Sequence, residues 1–415
     1  MMTNMIRSIK NIFHLFNAFA ACLYYGFPAR KLHMIGITGT DGKTTTTHLI
    51  YEILSEAEKN VSMISSVYAR VGGKEYDTGF HVTTPDPWFL QQMLKKAVDH
   101  GDTHFVLEVT SHGLDQNRVW GIPFGIGVIT NITPEHLDYH FTYEEYARSK
   151  IKLLERSKVA IVNREDRSYK LIYDLRFKIQ ELITYGLKTG DVMLQTFKFK
   201  TTLPGDYNKY NILAAYTATK QFGISDDVIR KTVAGFKGIK GRYEVIKTKY
   251  GFGIIIDFAH TSNGLEQVLS TVRKKTEGRL IHVFGCAGLR DYKKRPVMGE
   301  ISGRIADISV ITEEDYRIED FYSIVEQIKS GMKRKQNVHV YKSRQEAINF
   351  ATSGAKRGDI VILTGKGHER SLCRGTKEYP WSEHEAVKKA LKRLHKIKSF
   401  PRHAYRQAGK RESIT

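Results

Sequence analysis

Three features of the sequence predict an α/β fold with mostly parallel, doubly wound sheet. Short apolar runs alternate with helix-patterned runs along most of the chain. Several apolar runs end in loops carrying glycine or a carboxylate, as strands do at the ligand-binding edge of an open sheet. The first run, Met34–Ile37, breaks into Thr38-Gly39-Thr40-Asp41-Gly42-Lys43-Thr44 and then a helical pattern. Strand, glycine loop, Lys-Thr and helix together make a phosphate cradle of the P-loop type. The glycines let backbone N–H groups approach phosphate oxygens, and the helix N-terminus adds partial positive charge. Lys43 is placed to reach outer phosphates, and the Thr44 hydroxyl to ligate Mg2+. The spacing departs from G-x-x-x-x-G-K-[ST], because Ile37 stands at the first glycine position. A bare glycine pair would be a simple turn; Gly-Lys-Thr opening a helix, with Thr45 next, favours a nucleotide.

In chain order, residues 1–33 repeat Ile6, Ile9, Phe13, Phe16 and Phe19 at helical spacing, with Arg7 and Lys10 near the start. The stretch from Ile12 to Phe27 lacks Asp, Glu, Lys and Arg, is short for a membrane span, and has no secretory cleavage site. A helix in the membrane interface and a helix packed on the next domain both fit; its Phe, Leu and Tyr content favours membrane contact. A helix over 45–59 leads to a strand over 61–65, and a helix over 89–100 to a strand over 105–109. Strands over 126–130 and 159–163 flank a helix over 143–154. Residues 164–203 are less regular, and a helix follows Gly205. A second alternating series fills 241–398, with strands near 254–257, 280–285, 308–312, 338–340 and 360–364 and a last helix over 383–395. The expected domains are therefore 34–240 and 241–398, preceded by the helix in 1–33 and followed by a basic disordered tail over 399–415.

The length of 415 residues and hydrophobic fraction of 41% suit two or three domains with real cores. Three cysteines show no metal spacing and no disulfide framework, which suits a reducing cytosol. The net charge of +21 admits nucleic acid, a membrane surface or anionic small substrates. Part of it is local, since residues 388–415 hold ten Lys/Arg and one Glu. No RNA-binding aromatic motif and no helix-turn-helix signature is present, so no nucleic-acid partner is expected.

Glu108 and His136 each follow a strand that points at the edge carrying the glycine loop. A carboxylate and an imidazole there suit a Mg2+ site beside the phosphates, although either side chain alone fits an ordinary loop role. Lys150, on the 143–154 helix, is by itself a surface lysine. Asn211 and Arg242, at the junction of the two halves, suit a base and a phosphate. Asp257 and His260 end a strand, where Asp257 suits a ribose or a loop cap. Gly285-Cys286-Ala287-Gly288-Leu289-Arg290-Asp291 and Gly365-Lys366-Gly367-His368-Glu369 are further strand-end glycine loops, and Arg290 suits an anion.

Taken together, the chain resembles the Mur ligase family, MurE type. The matching motifs are Gly39-Thr-Asp-Gly-Lys-Thr, Thr83-Thr84-Pro85, Glu108-Val-Thr-Ser-His112, Asn131-Ile-Thr-Pro-Glu-His-Leu-Asp-Tyr-His140, Tyr146-Ala-Arg-Ser-Lys150, Leu203-Pro-Gly-Asp-Tyr-Asn-Lys-Tyr-Asn211, Gly241-Arg-Tyr-Glu244, Asp257-Phe-Ala-His260, 285–296 and Gly365-Lys-Gly-His-Glu369. The resemblance implies a central ATPase domain and a Rossmann-like C-terminal domain. It implies an ATP-dependent ligase that activates a muramoyl-peptide carboxylate as an acyl phosphate and adds an amino acid through its amine. Lys43, Thr44, Glu108 and His136 would serve the phosphates and Mg2+, with Lys150 carbamylated to hold a second ion. Gly39–Thr45, Asn211, Arg242, Asp257 and His260 would hold ATP. Thr83, Thr84, Ser111 and Arg118 would hold the muramoyl peptide. Arg290, Asp315, Arg317, Gly365 and Glu369 would surround the amino acid.

Two departures bear on specificity. The family's diaminopimelate signature, Asp-Asn-Pro-Arg, is here Glu314-Asp315-Tyr316-Arg317. The arginine suits a distal carboxylate, as in diaminopimelate, whereas Asp315 suits a lysine ammonium; retention of Arg317 favours diaminopimelate. Family members also carry an N-terminal domain for a UDP moiety, and here only residues 1–33 precede the ATPase. The resulting expectation is a truncated or lipid-linked acceptor, handled by a cytoplasmic monomer held at the inner membrane face by its first helix. A folylpolyglutamate- or cyanophycin-type ligase is the alternative within the superfamily, and a basic nucleic-acid-binding NTPase the alternative outside it.

Overall fold

The computed structural model describes residues 2–79, 83–333 and 337–399, and side chains outside 2–9 and 398. The expected basic tail lies outside the described residues except Ser399, which ends the last helix. The chain divides into two compact units, Met1–Lys240 and Gly241–Thr415.

In the first unit the strands are β1 (His33–Thr38), β2 (Val61–Ile64), β3 (Ala69–Val71), β4 (Lys74–Tyr76), β5 (His104–Glu108), β6 (Phe124–Ile129), β7 (Ser157–Asn163), β8 (Glu181–Gly186) and β9 (Val192–Met193). They form one sheet in the order β4-β3-β2-β5-β1-β6-β7-β8-β9. It is parallel except at β2–β3 and β3–β4. The helices are α1 (Met2–Tyr25), α2 (Lys43–Glu56), α3 (Pro87–His100), α4 (Ser111–Asp115), α5 (Leu137–His140), α6 (Tyr143–Glu155), α7 (Tyr169–Asp174), α8 (Asp206–Lys220) and α9 (Asp226–Gly235).

Alternation along the strands explains why helices cover both faces. Ile35 and Ile37 of β1 and Val106 of β5 pack with Leu49, Ile53, Ile212 and Leu213 of α2 and α8. Their neighbours Met34, Phe105 and Leu107 pack on the other face with Leu90, Met93 and Leu94 of α3. A strand buried on both sides must be apolar at consecutive positions, and these are.

The second unit repeats the plan. Its strands are β10 (Glu244–Lys247), β11 (Gly253–Ile256), β12 (Leu280–Phe284), β13 (Ile308–Thr312), β14 (Val338–Tyr341), β15 (Ile360–Leu363), β16 (Ser371–Arg374) and β17 (Lys377–Pro380). The main sheet runs β10-β11-β15-β12-β13-β14, with only the β10–β11 pairing antiparallel; β16 and β17 form a separate hairpin. Ile255, Leu280 and Ile362 face one core, and Ile254, Ile281 and Val361 the other. The helices are α10 (Ser262–Arg273), α11 (Lys294–Ile305), α12 (Phe321–Ser330), α13 (Arg344–Gly354) and α14 (Glu383–Ser399).

The predicted parallel strands are present, with ends moved by at most two residues. Sequence reasoning missed β3, β4, β10 and the β16–β17 hairpin, which are short and partly polar, and also β8 and β9, which lie in the stretch 164–203 read as less regular. It also missed α9, whose Ser225 cap accepts from the Val228 amide and whose Ile229 and Val233 share the buried face. Among the described residues no helix is long and apolar enough to cross a membrane.

Candidate active site

The carboxyl ends of β1, β5 and β6 lie side by side, and the first constellation is built there. After Thr38 the chain turns through Gly39 and Gly42, at φ +151° and +83°. A Cβ on Gly39 would strike the Thr130 hydroxyl, and one on Gly42 the Asn211 side chain. Both glycines are therefore demanded by conformation and by space. The loop is braced from the end of β6: Thr40 N–H donates to the Asn131 carbonyl at 2.8 Å, Asp41 N–H to Asn131 Oδ1 at 3.0 Å, and Thr130 Oγ1 to the Asp41 carbonyl at 2.6 Å. Helix α2 begins at Lys43, so its unpaired N–H groups open toward the loop.

Four of the predicted residues converge on this loop. Lys43 Nζ donates to the carbonyls of Gly39 (3.1 Å) and Thr40 (2.9 Å), and Lys150 Nζ donates to the same Gly39 carbonyl at 2.7 Å. Thr44 Oγ1 donates to Glu108 Oε1 at 3.1 Å, while Ser66 N–H donates to Glu108 Oε2 at 2.8 Å. Lys150 is not a surface lysine: it is 2% exposed on the inward face of α6. Burial, reinforced by the neighbouring Lys43 charge, holds its ammonium well below the usual lysine range. His136, in a left-handed conformation at φ 57°, sets its ring against those of His112 (5.0 Å) and Tyr146 (6.1 Å). Thr45 is half-buried in the first turn of α2.

The donor set fits Mg2+ in part. Thr44 and Glu108 supply hard oxygens at hydrogen-bond separation, the ligand type that ion takes. Among the described residues no three His, Cys, Asp or Glu side chains are grouped to hold a metal unaided. The residues present therefore fit an ion completed by phosphate oxygens and water.

Sequence reasoning assigned no role to Tyr146, which the structure places in this cluster. Its hydroxyl lies 3.0 Å from Thr40 Oγ1, and its ring face covers Lys150 Nζ at 4.5 Å. The available signal was its position four residues before Lys150, on the same helix face. Ser66, beside Thr44 and Glu108, carried no sequence signal.

Beside the loop, Thr84, Thr110 and Arg118 form a second group. Thr110 N–H donates to Thr84 Oγ1 at 2.8 Å, and Arg118 Nη1 to the Thr84 carbonyl at 2.7 Å. Ser111 Oγ pairs with His140 Nε2 at 3.0 Å, and Thr83 is half-buried next to Thr84. Asn211 Oδ1 lies 3.5 Å from Thr46 Oγ1 in the same unit.

The second unit gathers the remaining predicted residues in two places. Arg242 lies over the Phe258 ring at 4.3 Å with Nη1 3.1 Å from His368 Nδ1, and His260 Nδ1 meets the Phe258 carbonyl at 2.9 Å. Asp257 is occupied in capping, accepting the Tyr243 and Ala259 amides at 2.7 Å each. Around the end of β13, Asp315 takes Lys366 Nζ on both oxygens (2.9 and 3.0 Å) and the Cys373 amide at 2.9 Å. Lys366 also pairs with Glu369. Arg317, at φ 54°, donates from Nη1 to the Gly288 carbonyl at 2.7 Å. Arg290 is exposed in the loop after β12.

Glu314 is buried against Gly365, where a Cβ would come within 2.6 Å of its Oε2. Burial, with the adjacent Asp315 charge, pushes its carboxyl up from 4.5 to about 7. A raised carboxyl favours the native state below the unfolded value, and that contribution is lost as pH rises from 4.5 to about 7. Glu314→Gln is thus expected to raise unfolding free energy at pH 8 by on the order of 2 kcal/mol, with little gain at pH 4.5. Urea titration at the two pH values measures the difference.

Residues 37–219 match the Mur ligase middle domain, and residues 241–367 the Mur ligase glutamate ligase domain. The chain is 39% identical to UDP-N-acetylmuramoyl-L-alanyl-D-glutamate–2,6-diaminopimelate ligase of Aquifex aeolicus, covering 89% of this chain and 79% of the relative. It is 36% identical to the protein of the same name from Clostridium tetani, covering 91% and 81%. A solved structure of a ligase of that name superimposes with a TM-score of 0.57 at 30% identity, over 88% of this chain and 79% of the other.

Proposed function

The chain belongs to the Mur ligase family, and from that premise we propose that it uses ATP to join diaminopimelate to the carboxylate of a muramoyl dipeptide, a step of peptidoglycan precursor synthesis. The observation that carries this reading is the convergence of Lys43, Thr44, Glu108 and Lys150 on one glycine loop.

A carboxylate is a poor electrophile, so it must first acquire a leaving group. Its oxygen attacks the γ-phosphorus of ATP and ADP departs, giving an acyl phosphate. The amine then attacks the acyl carbon, loses a proton, and inorganic phosphate leaves as the amide forms. Lys43 and the N-terminus of α2 offset the charge on the transferring phosphoryl group. Thr44 and Glu108 would hold Mg2+, which when bound neutralises phosphate charge. Lys150, carbamylated by CO2, would supply a further anionic oxygen ligand. Thr84, Ser111 and Arg118 would position the acceptor, with Thr83 beside them. Asn211, packed against Gly42, would hold the nucleotide at the glycine loop. Within the second unit, Arg242 and His260 would offer a cation and an imidazole to an anionic ligand, with Asp257 shaping the loop. Arg290, Arg317, Gly365 and Glu369 would receive the amino acid.

Asp315 separates diaminopimelate from lysine. Its carboxylate already carries the Lys366 ammonium, which leaves it poorly suited to a substrate ammonium. Diaminopimelate is expected to support phosphate release from ATP, muramoyl dipeptide and enzyme at least about tenfold better than lysine. A panel of amino acids run with UDP-linked and UDP-free acceptors checks this. Equal rates with lysine would reject the amino-acid assignment, and no amino-acid dependence would reject the ligase. Synthesis in the cytoplasm belongs to the same reading.

A further inference from the structure

Helix α1 carries apolar side chains on two opposite faces. Inward, Ala18, Ala21 and Cys22 are buried. The Trp88 indole N–H donates to Asn17 Oδ1 at 2.7 Å, and Cys22 Sγ donates to the Trp120 carbonyl at 3.3 Å, fixing the helix to its own unit. Outward, Ile12, Phe13, Phe16, Phe19, Leu23 and Tyr24 are 57, 72, 68, 45, 62 and 74% exposed. Their spacing puts all six on a single stripe, about 18 Å long at the helical rise. Trp88, 38% exposed, extends it through an edge contact with Tyr24 at 5.7 Å.

Scattered apolar residues on a surface need no explanation, but a continuous aromatic stripe on an ordered helix does. Its charge pattern identifies what covers it. No Asp, Glu, Lys or Arg lies between Ile12 and Phe27, and the flanking charges are basic: Lys10 before, Arg30 and Lys31 after, all exposed. A second copy of the chain is a poor cover. Whether two such helices packed parallel or antiparallel, basic end would meet basic end with no acid in the stripe to pair them. An anionic bilayer surface suits every part, since aromatic and aliphatic groups enter the acyl boundary while the basic ends meet phosphate headgroups.

We infer that the outward face of α1 docks this protein, lying flat, on an anionic phospholipid surface. This stands apart from the amide-ligase reading, because none of these residues touches the glycine-loop cluster.

The test is co-sedimentation of the full chain with vesicles of phosphatidylcholine alone or of equal parts phosphatidylcholine and phosphatidylglycerol. The chain is expected to pellet with the mixed vesicles. The combined Phe13→Ser, Phe16→Ser and Leu23→Ser variant should bind at least about tenfold more weakly, with phosphate release in solution unchanged. The combined Lys10→Glu and Lys31→Glu variant should also lose binding, and added salt should weaken the parent. Independently of the stripe variants, tryptophan emission should shift to the blue on adding mixed vesicles, and Trp88→Phe should remove most of that shift. Failure of the parent to pellet overturns the inference. So does binding that survives the apolar variant, which would be charge alone. Self-association dissolved by the apolar variant, without vesicle binding, would assign the stripe to a second copy instead.

Discussion

Replacing Lys150 by alanine is expected to lower turnover by roughly a thousandfold, with acetate or bicarbonate restoring part of it. The reason lies in what burial does to this amine. Only a neutral amine has the lone pair that attacks CO2; the attack forms the N–C bond and releases a proton, leaving a carbamate. A lysine at its ordinary pKa is almost wholly protonated at neutral pH. Lys150 is 2% exposed beside the Lys43 charge, and both effects disfavour its ammonium. A site that keeps the amine neutral keeps it reactive, and modification converts it to an anion beside Thr44 and Glu108. In the alanine variant the vacated space admits a small carboxylate, whereas Lys150→Arg keeps a fixed cation there and is expected to stay inactive in acetate. Phosphate release dependent on amino acid and acceptor measures each case. Full activity in the alanine variant would remove the carbamate from the mechanism and leave Lys150 as a brace for the Gly39 carbonyl.

The same residue shows where the sequence stops being informative. Gly39 to Thr44 is legible because a phosphate loop is local chemistry: two glycines, a lysine and a hydroxyl within six positions. Glu108 is legible from the apolar run before it. The burial of Lys150 is not, since it depends on α6 turning this side chain toward β1, more than a hundred residues earlier. Asp315 is a second case. Alone it looks free to receive a substrate ammonium, and only folding brings up Lys366, 51 positions away, to occupy it. Helix α1 is a third. Its sequence posed packing against membrane contact as alternatives, yet the helix packs one face and exposes the other. Short strands such as β3 and β4 escaped because three residues offer too little period to detect.

Arg317→Ala is expected to raise KM for diaminopimelate on the order of a hundredfold while leaving KM for ATP within about twofold. Among the described residues only Nη1 of this guanidinium makes hydrogen bonds, to the carbonyls of Gly288 and Asp315. That tether fixes the plane of the group and leaves Nε and Nη2 for a carboxylate, the arrangement in which arginine binds most selectively. The backbone supports the assignment: Arg317 holds a positive φ of 54°, which costs energy for a non-glycine residue and is retained where the surrounding structure enforces it. It is enforced here by the Cys373 carbonyl, which accepts the Arg317 amide at 3.2 Å, and by the Gly375 amide, which donates to the Arg317 carbonyl at 2.8 Å. Diaminopimelate presents a distal carboxylate to such a group, whereas lysine presents an ammonium that arginine repels. Loss of the guanidinium should therefore narrow the preference for diaminopimelate over lysine, and Arg317→Lys should recover charge but not the paired hydrogen bonds. Steady-state kinetics with both amino acids separates the possibilities. Equal losses for amino acid and ATP would mean that Arg317 only holds the β13 loop together, and the source of specificity would have to be sought at Arg290 and Glu369.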